Sequence, residues 1–181
     1  MQLLAKGKRG TVYVEGKYVI KKASEYQIKN EVEWLKKLNL YGIGPQLMSY
    51  GGDWFKAAYI KGELIEDSVR TSDKKNIANI LKDCLKQCRV MDSLKMNKKE
   101  MHHPYKHVIV VKNKPVFIDF ERCKITEHPK NVTQFCEYIL KLDVIIPGKL
   151  DIDREGMIKL MKEYKGNQNE KNFKGILRLI S

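Results

Sequence analysis

The run Val116-Phe117-Ile118-Asp119-Phe120-Glu121 constrains this chain more than any other stretch. Three apolar residues lead straight into an acid, an aromatic and a second acid. Val and Ile favour extended backbone, and a short apolar run bounded by Pro115 and by charge suits a buried strand. A carboxylate at the end of such a strand fixes a negative charge at the edge of the core. There it either caps a turn or needs a cation or metal ion as its partner.

The sequence has cations in excess: Lys and Arg number 35 against 22 for Asp and Glu, a formal charge of +13. That balance favours polyanionic partners such as nucleic acid, nucleotide phosphates or an acidic protein, and part of it is a solvated lysine-rich surface. At 181 residues and 43% hydrophobic content, the chain can build one domain with a proper core and room for two lobes. No apolar run reaches membrane-spanning length, and the apolar part of Met1–Lys6 is too short for a signal peptide, so no membrane association and a cytoplasmic location are expected. Cys84 and Cys88 share a helical face but lack zinc-knuckle spacing. They, Cys123 and Cys136 read as core residues.

In chain order, residues 3–22 read as a strand meander. Its first turn holds Ala5-Lys6-Gly7-Lys8-Arg9-Gly10, and Glu15-Gly16 makes a tight second turn before Tyr18-Val19-Ile20-Lys21. Amides in a Gly-rich turn can face an anion, although most such turns are plain hairpins. Residues 25–39 predict a helix capped by Ser24, with Ile28, Val32, Leu35 and Leu38 as its apolar stripe. Glu31 borders that stripe and points either to the sheet or to the rim. Two more strands follow, at 46–50 and 54–60, and the stretch Tyr59–Gly62 is a candidate hinge. From Ser72 the pattern turns helical, with Ile77, Leu81, Cys84, Leu85, Cys88 and Met91 on one face.

A polar loop, 97–107, then carries His102, His103 and His107, which are either metal ligands or simply polar loop residues. Val108–Val111 and Val116–Phe120 predict a hairpin turned by Lys112-Asn113-Lys114, with the loop entering and Asp119 leaving at adjoining ends. Helices are expected at 131–146 and from Asp153 through Tyr164, then a polar loop at 166–172 and a short amphipathic tail at 173–180.

Taken in order, these features resemble the protein-kinase superfamily. The resemblance is nearest to a small archaeal family of predicted serine/threonine kinases, related in style to the RIO and lipopolysaccharide-kinase groups. Ala5-Lys6-Gly7-Lys8-Arg9-Gly10-Thr11-Val12 is similar to the kinase loop G-x-G-x-x-G-x-V, with Ala5 for the first Gly. Tyr18-Val19-Ile20-Lys21 is similar to V-A-I-K, Glu31 to the helix glutamate that pairs with that lysine, and Asp119-Phe120-Glu121 to D-F-G with Glu in place of Gly. The catalytic loop matches least well. One register sets Glu100 at the catalytic aspartate position and His107 at the asparagine, and another sets His102 at the aspartate.

The resemblance implies an α+β, two-lobed minimal kinase-like fold. An N-terminal antiparallel sheet with one helix (1–62) would precede a mostly helical C-terminal lobe with a β-hairpin (63–181). It implies ATP with Mg²⁺ or Mn²⁺ as cofactors and transfer of the γ-phosphate to a Ser or Thr hydroxyl of a protein. Gly7, Lys8, Arg9, Gly10, Val12, Lys21 and Glu31 would hold the nucleotide, Asp119 and His107 the metal, and Glu100, Lys21 and Asp119 the chemistry. No segment like the kinase A-P-E follows Asp119, which leaves the acceptor and any protein partner open. The alternatives are a nucleotide-binding pseudokinase that serves as an interaction module and, less favoured, a basic nucleic-acid-binding protein.

Overall fold

Alternating β-branched and polar residues on either side of Gly16 form the centre of the first sheet. Gly16 has φ +61°, a value that L side chains rarely adopt, and so lets the chain reverse in a two-residue turn. The computed structural model describes Met1–Ile180. Strands β1 (Gln2–Lys6), β2 (Gly10–Glu15), β3 (Tyr18–Ala23), β4 (Leu47–Tyr50) and β5 (Trp54–Ala58) form an antiparallel sheet in the order β1-β2-β3-β5-β4. The sheet is the expected meander, with the last two strands one and two residues shorter than the pattern suggests. Gly10 meets a steric demand, because a Cβ there would lie 2.6 Å from the Lys22 carbonyl oxygen. Gly7 closes the first turn through its amide, which donates to the Gly10 carbonyl at 2.9 Å.

Helix α1 (Glu25–Asn39) follows β3 directly. The Gln27 side-chain carbonyl accepts from the Ser24 amide at 3.3 Å and from its hydroxyl at 2.8 Å, which fixes the first turn. The apolar stripe behaves as its spacing requires: Ile28, Val32, Leu35 and Leu38 are 3% exposed or less. Burying such side chains is worth about 1.5–3 kcal/mol each, which holds α1 on the sheet far more firmly than helix propensity would.

The chain divides into two compact units, and the division is not a simple cut. The first comprises Met1–Lys61 together with Val116–Cys123, and the second comprises Gly62–Pro115 and Lys124–Ser181. The late Asp-Phe-Glu segment therefore belongs to the unit of the early sheet.

The second unit is mostly helical. It holds β6 (Glu63–Leu64), α2 (Ile65–Thr71), α3 (Lys74–Ser93), β7 (Met96–Asn97), β8 (Val108–Val111), the start of β9 (Lys114–Phe117), β10 (Lys124–Ile125), α4 (Asn131–Ile145), α5 (Arg154–Gly166) and α6 (Glu170–Arg178). The whole predicted stripe of α3 is buried at 0% exposure. Burial pushes the Cys84, Cys88 and Cys136 thiols upward, so they pack as neutral core groups.

Besides the two-residue strands β6, β7 and β10, which the pattern does not show, three elements depart from the expected bounds. Helix α2 has only seven residues, too few for a period to show, and Ile65 and Val69 at 0% exposure hold it in place. The hairpin strand runs over 114–117 rather than 116–120. Lys112 and Asn113, at φ 49° and 62°, make a tight turn that starts β9 early, and Asp119 has left extended backbone. Helix α6 begins three residues before the expected tail, because the Asn169 side chain caps it by accepting from the Asn172 amide at 2.8 Å. Among the described residues, no helix is long and apolar enough to cross a membrane.

Candidate functional site

Lys21 occupies a strand position directly opposite Val12 on β2 and Phe55 on β5. Cross-strand partners project to the same face, and Phe55 is buried, so Lys21 points to the face covered by α1. Its neighbour Lys22 projects to the opposite face. Helix α1 presents Glu31, 2% exposed, to the same place, which settles the rim-or-sheet alternative in favour of the sheet.

The Lys21 ammonium donates to Glu31 Oε2 at 2.7 Å and to Asp119 Oδ1 at 2.9 Å, and lies 3.1 Å from Glu121 Oε2. The early-sheet lysine and the late aspartate, 98 positions apart, therefore touch within the first unit. Arg9, on the turn between β1 and β2, reaches Glu121 Oε1 at 3.7 Å. Gly7, Lys8 and Gly10 lie on or beside that same turn.

The aspartate is held by its backbone. Asp119 has φ +63°, in the left-handed region where Asp is tolerated but most residues are strained. What fixes this conformation is the next stretch of chain. The Phe120 amide donates to Glu31 Oε1 at 3.1 Å, and the Asn30 side-chain amide donates to the Glu121 carbonyl at 2.7 Å and to the Cys123 carbonyl at 3.3 Å. The Phe120 ring is 0% exposed and lies so close to Gly44 that a Cβ there would come within 2.9 Å of it. Glu31 thus serves two elements at once, with one oxygen on Lys21 and the other on the Phe120 amide.

Electrostatically the cluster carries more negative than positive charge. Burial disfavours the Lys21 ammonium, but Glu31 and Asp119 outweigh that and hold its pKa above the ordinary lysine value. Burial pushes the Glu31 carboxyl up, Lys21 draws it back, and the nearby Asp119 charge adds to the rise. Because the folded pKa of Lys21 is raised, its stabilisation is complete below pH 10.5 and is lost as pH climbs through the folded value. Above about pH 10.5 the native chain should therefore lose stability more steeply than Lys21→Met, by roughly 1 kcal/mol per pH unit. Urea midpoints across that range measure the difference.

The carboxylates of Glu31, Asp119 and Glu121 converge, with one oxygen from each lying within 4.8 Å of the others. Hard oxygen donors in this number suit Mg²⁺ or Mn²⁺ rather than a soft metal. Among the described residues, this is the group of three or more potential ligands that comes together.

Glu100, His102 and His107 belong to the second unit, on the loop between β7 and β8. The Glu100 side chain is 15% exposed and lies 3.8 Å from the ammonium of Lys98, whose own side chain is 0% exposed. The His102 and His103 ring centroids lie 4.5 Å apart with the rings tilted at 56°, and His107 ends the short 3-10 turn Pro104–Lys106. Asn131, at the start of α4, anchors the beginning of this loop. Its side chain accepts from the Lys98 amide at 2.8 Å and donates to the Met96 carbonyl.

Two contributors, Asn30 and the Glu121 side chain, escape the sequence reading. Asn30 sits beside Glu31 with no motif to mark it. Glu121 is visible only as the second acid of the opening stretch, at a position where the kinase pattern has glycine.

No family model matches the sequence, and no curated protein matches it. Among solved structures, the bifunctional kinase-methyltransferase WbdD superposes with a TM-score of 0.63 at 16% identity, over 95% of this chain and 42% of that one. The chain thus spans less than half the length of that protein. The likeness at this identity is one of fold: the chain has a mixed α+β, kinase-like fold.

Proposed function

We propose that this chain is an atypical ATP-dependent serine/threonine protein kinase, of the small archaeal kind that resembles the RIO and lipopolysaccharide-kinase groups. One observation carries the reading. A strand lysine, a helix glutamate and the aspartate of an Asp-Phe-Glu run meet at hydrogen-bond distance within a kinase-like fold. In the proposed roles, Lys21 and the basic turn bearing Lys8 and Arg9 bind the phosphates. Gly7, Gly10 and Val12 shape the strand and turn beside them. Glu31 orients Lys21, and Asp119 holds a divalent cation.

The donor set fits such an ion, since oxygens of Glu31, Asp119 and Glu121 lie within 4.8 Å of one another. When bound, Mg²⁺ or Mn²⁺ would supply charge neutralisation at the phosphates. His107 is the second proposed metal-side residue. Glu100 is assigned the base role, orienting the acceptor hydroxyl and taking its proton.

The proximity of Glu100 to the buried Lys98 ammonium favours a second reading, in which that carboxylate is engaged structurally and the chain binds nucleotide without transferring phosphate. Incubation of the full chain with γ-labelled ATP and Mn²⁺, with and without a mixture of Ser- and Thr-containing peptides, separates the two readings. The kinase reading expects label on hydroxyl acceptors, reduced at least about a hundredfold in Glu100→Gln. Tight ATP binding with no transfer in either form would favour the pseudokinase.

A further inference from the structure

Glu121 stands out once the phosphate-facing cations are identified. Its side chain is 8% exposed, and it spans the two cations that the proposed function assigns to phosphates. One oxygen lies 3.1 Å from Lys21 Nζ and the other 3.7 Å from Arg9 Nη1. Its aim is fixed from behind, because the Glu121 carbonyl is held by the Asn30 side chain at 2.7 Å. Arg9 is 53% exposed and sits on a turn between two edge-side strands, so it is the movable partner. Lys21, at 13% exposure, is fixed by Glu31.

A carboxylate that bridges two cations resembles one edge of a phosphate: two oxygens, negative charge, a forked contact. An incoming phosphate that seeks the same ammonium and guanidinium meets this anion in its place. Glu31, Asp119 and Glu121 bring three carboxylates against the same cations that the phosphates would seek. A bare triphosphate therefore meets carboxylates that repel it and already hold Lys21 and Arg9. A triphosphate carrying a divalent cation brings the charge that those carboxylates lack, and gives Glu121 an alternative partner to the two basic side chains.

We propose that Glu121 makes nucleotide binding conditional on a divalent cation, by occupying Lys21 and Arg9 until a metal-bound phosphate draws it away. The inference rests on the nucleotide-binding reading above and adds a selectivity to it: this chain discriminates metal-bound from metal-free nucleotide more sharply than the lysine alone would. Glu121→Gln keeps the shape and removes the charge. Glu121→Asp keeps the charge on a side chain one methylene shorter, which cannot span both cations from the same anchored backbone.

The test is calorimetric titration of adenylyl imidodiphosphate into the full chain, in Mg²⁺ and again in excess EDTA, for the native protein and both variants. The native chain is expected to bind at least thirtyfold more weakly in EDTA than in Mg²⁺ (roughly 2 kcal/mol). In Glu121→Gln that ratio should fall below about fivefold, chiefly through tighter binding in EDTA, with Glu121→Asp between the two. An unchanged ratio in Glu121→Gln, or binding in EDTA no tighter than the native chain's, overturns the role given to Glu121 while leaving the nucleotide reading intact. Failure of the native chain to bind the nucleotide even in Mg²⁺ removes the nucleotide reading itself, and this inference with it.

Discussion

Asp119→Ala should lower phosphoryl transfer at least about a hundredfold, while the chain stays folded. The expectation follows from where the residue sits and what holds it. Asp119 contacts Lys21 with a side chain that is 36% exposed, and its backbone is held by the Phe120 amide on Glu31 and by Asn30 on the following carbonyls. Removing its carboxylate deletes a charge from the cluster without emptying a buried volume. Alanine tolerates φ near +63° less well than aspartate, so a modest loss of stability should accompany the change. Asn at this position relieves that strain and should lose transfer to a similar degree with its stability kept. Rates measured with γ-labelled ATP, alongside urea midpoints for both variants, separate the loss of charge from the backbone effect.

The largest effect on stability is expected in the second unit, at Asp92. This aspartate is 2% exposed near the end of α3. Its Oδ1 accepts from the Asn131 amide at 2.9 Å and from the Asn131 side chain at 2.8 Å. Its Oδ2 accepts from Tyr164 at 3.0 Å and from the Val132 amide at 3.3 Å. Burial pushes its carboxyl pKa up, and the hydrogen bonds from Asn131, Val132 and Tyr164 pull against that rise. One carboxylate therefore caps the N-terminus of α4, ties α5 to α3 and orients the asparagine that anchors the loop bearing Glu100.

Asp92→Ala strands all those donors inside the core, and a loss of about 3–5 kcal/mol in unfolding free energy is expected. Tyr164→Phe removes the bond to Asp92 and the one its hydroxyl accepts from Arg89 at 3.3 Å, and should cost about 1–2 kcal/mol. Urea denaturation followed by circular dichroism reads both. A loss below about 1 kcal/mol for Asp92→Ala would mean that the network does not hold the unit together.

Much of this architecture is legible in the sequence because it rests on short-range periodicity. The stripes of α1 and α3 follow helical spacing, and the burial of Ile28 through Leu38 and of Ile77 through Met91 matches them residue by residue. The Gly16 turn and the breaker residues mark the strand ends. That Lys21, Glu31 and Asp119 belong together is suggested by their order, which resembles the kinase pattern, and the three side chains do meet.

What was not legible depends on contacts between distant positions. Helix α2 is too short to show a period. The early start of β9 follows from two positive-φ residues at a turn whose sequence, Lys112-Asn113, only half announces it. Asp92 and Asn131, 39 positions apart, form a buried hydrogen-bonded pair, yet each alone reads as an ordinary helix-end residue. Glu121 reads as a departure from a glycine until its distances to Lys21 and Arg9 are known.

In the proposed function, Lys21 and Asp119 form the phosphate-and-metal end of a nucleotide site. A crystal of the full chain grown with adenylyl imidodiphosphate and Mn²⁺, with data collected at the manganese edge, tests it most directly. An anomalous peak coordinated by the Asp119 carboxylate, with phosphate oxygens on the Lys21 ammonium, is expected. Nucleotide bound elsewhere on the chain, with Lys21 still paired to Asp119 and no manganese beside it, would rule out this role for the pair.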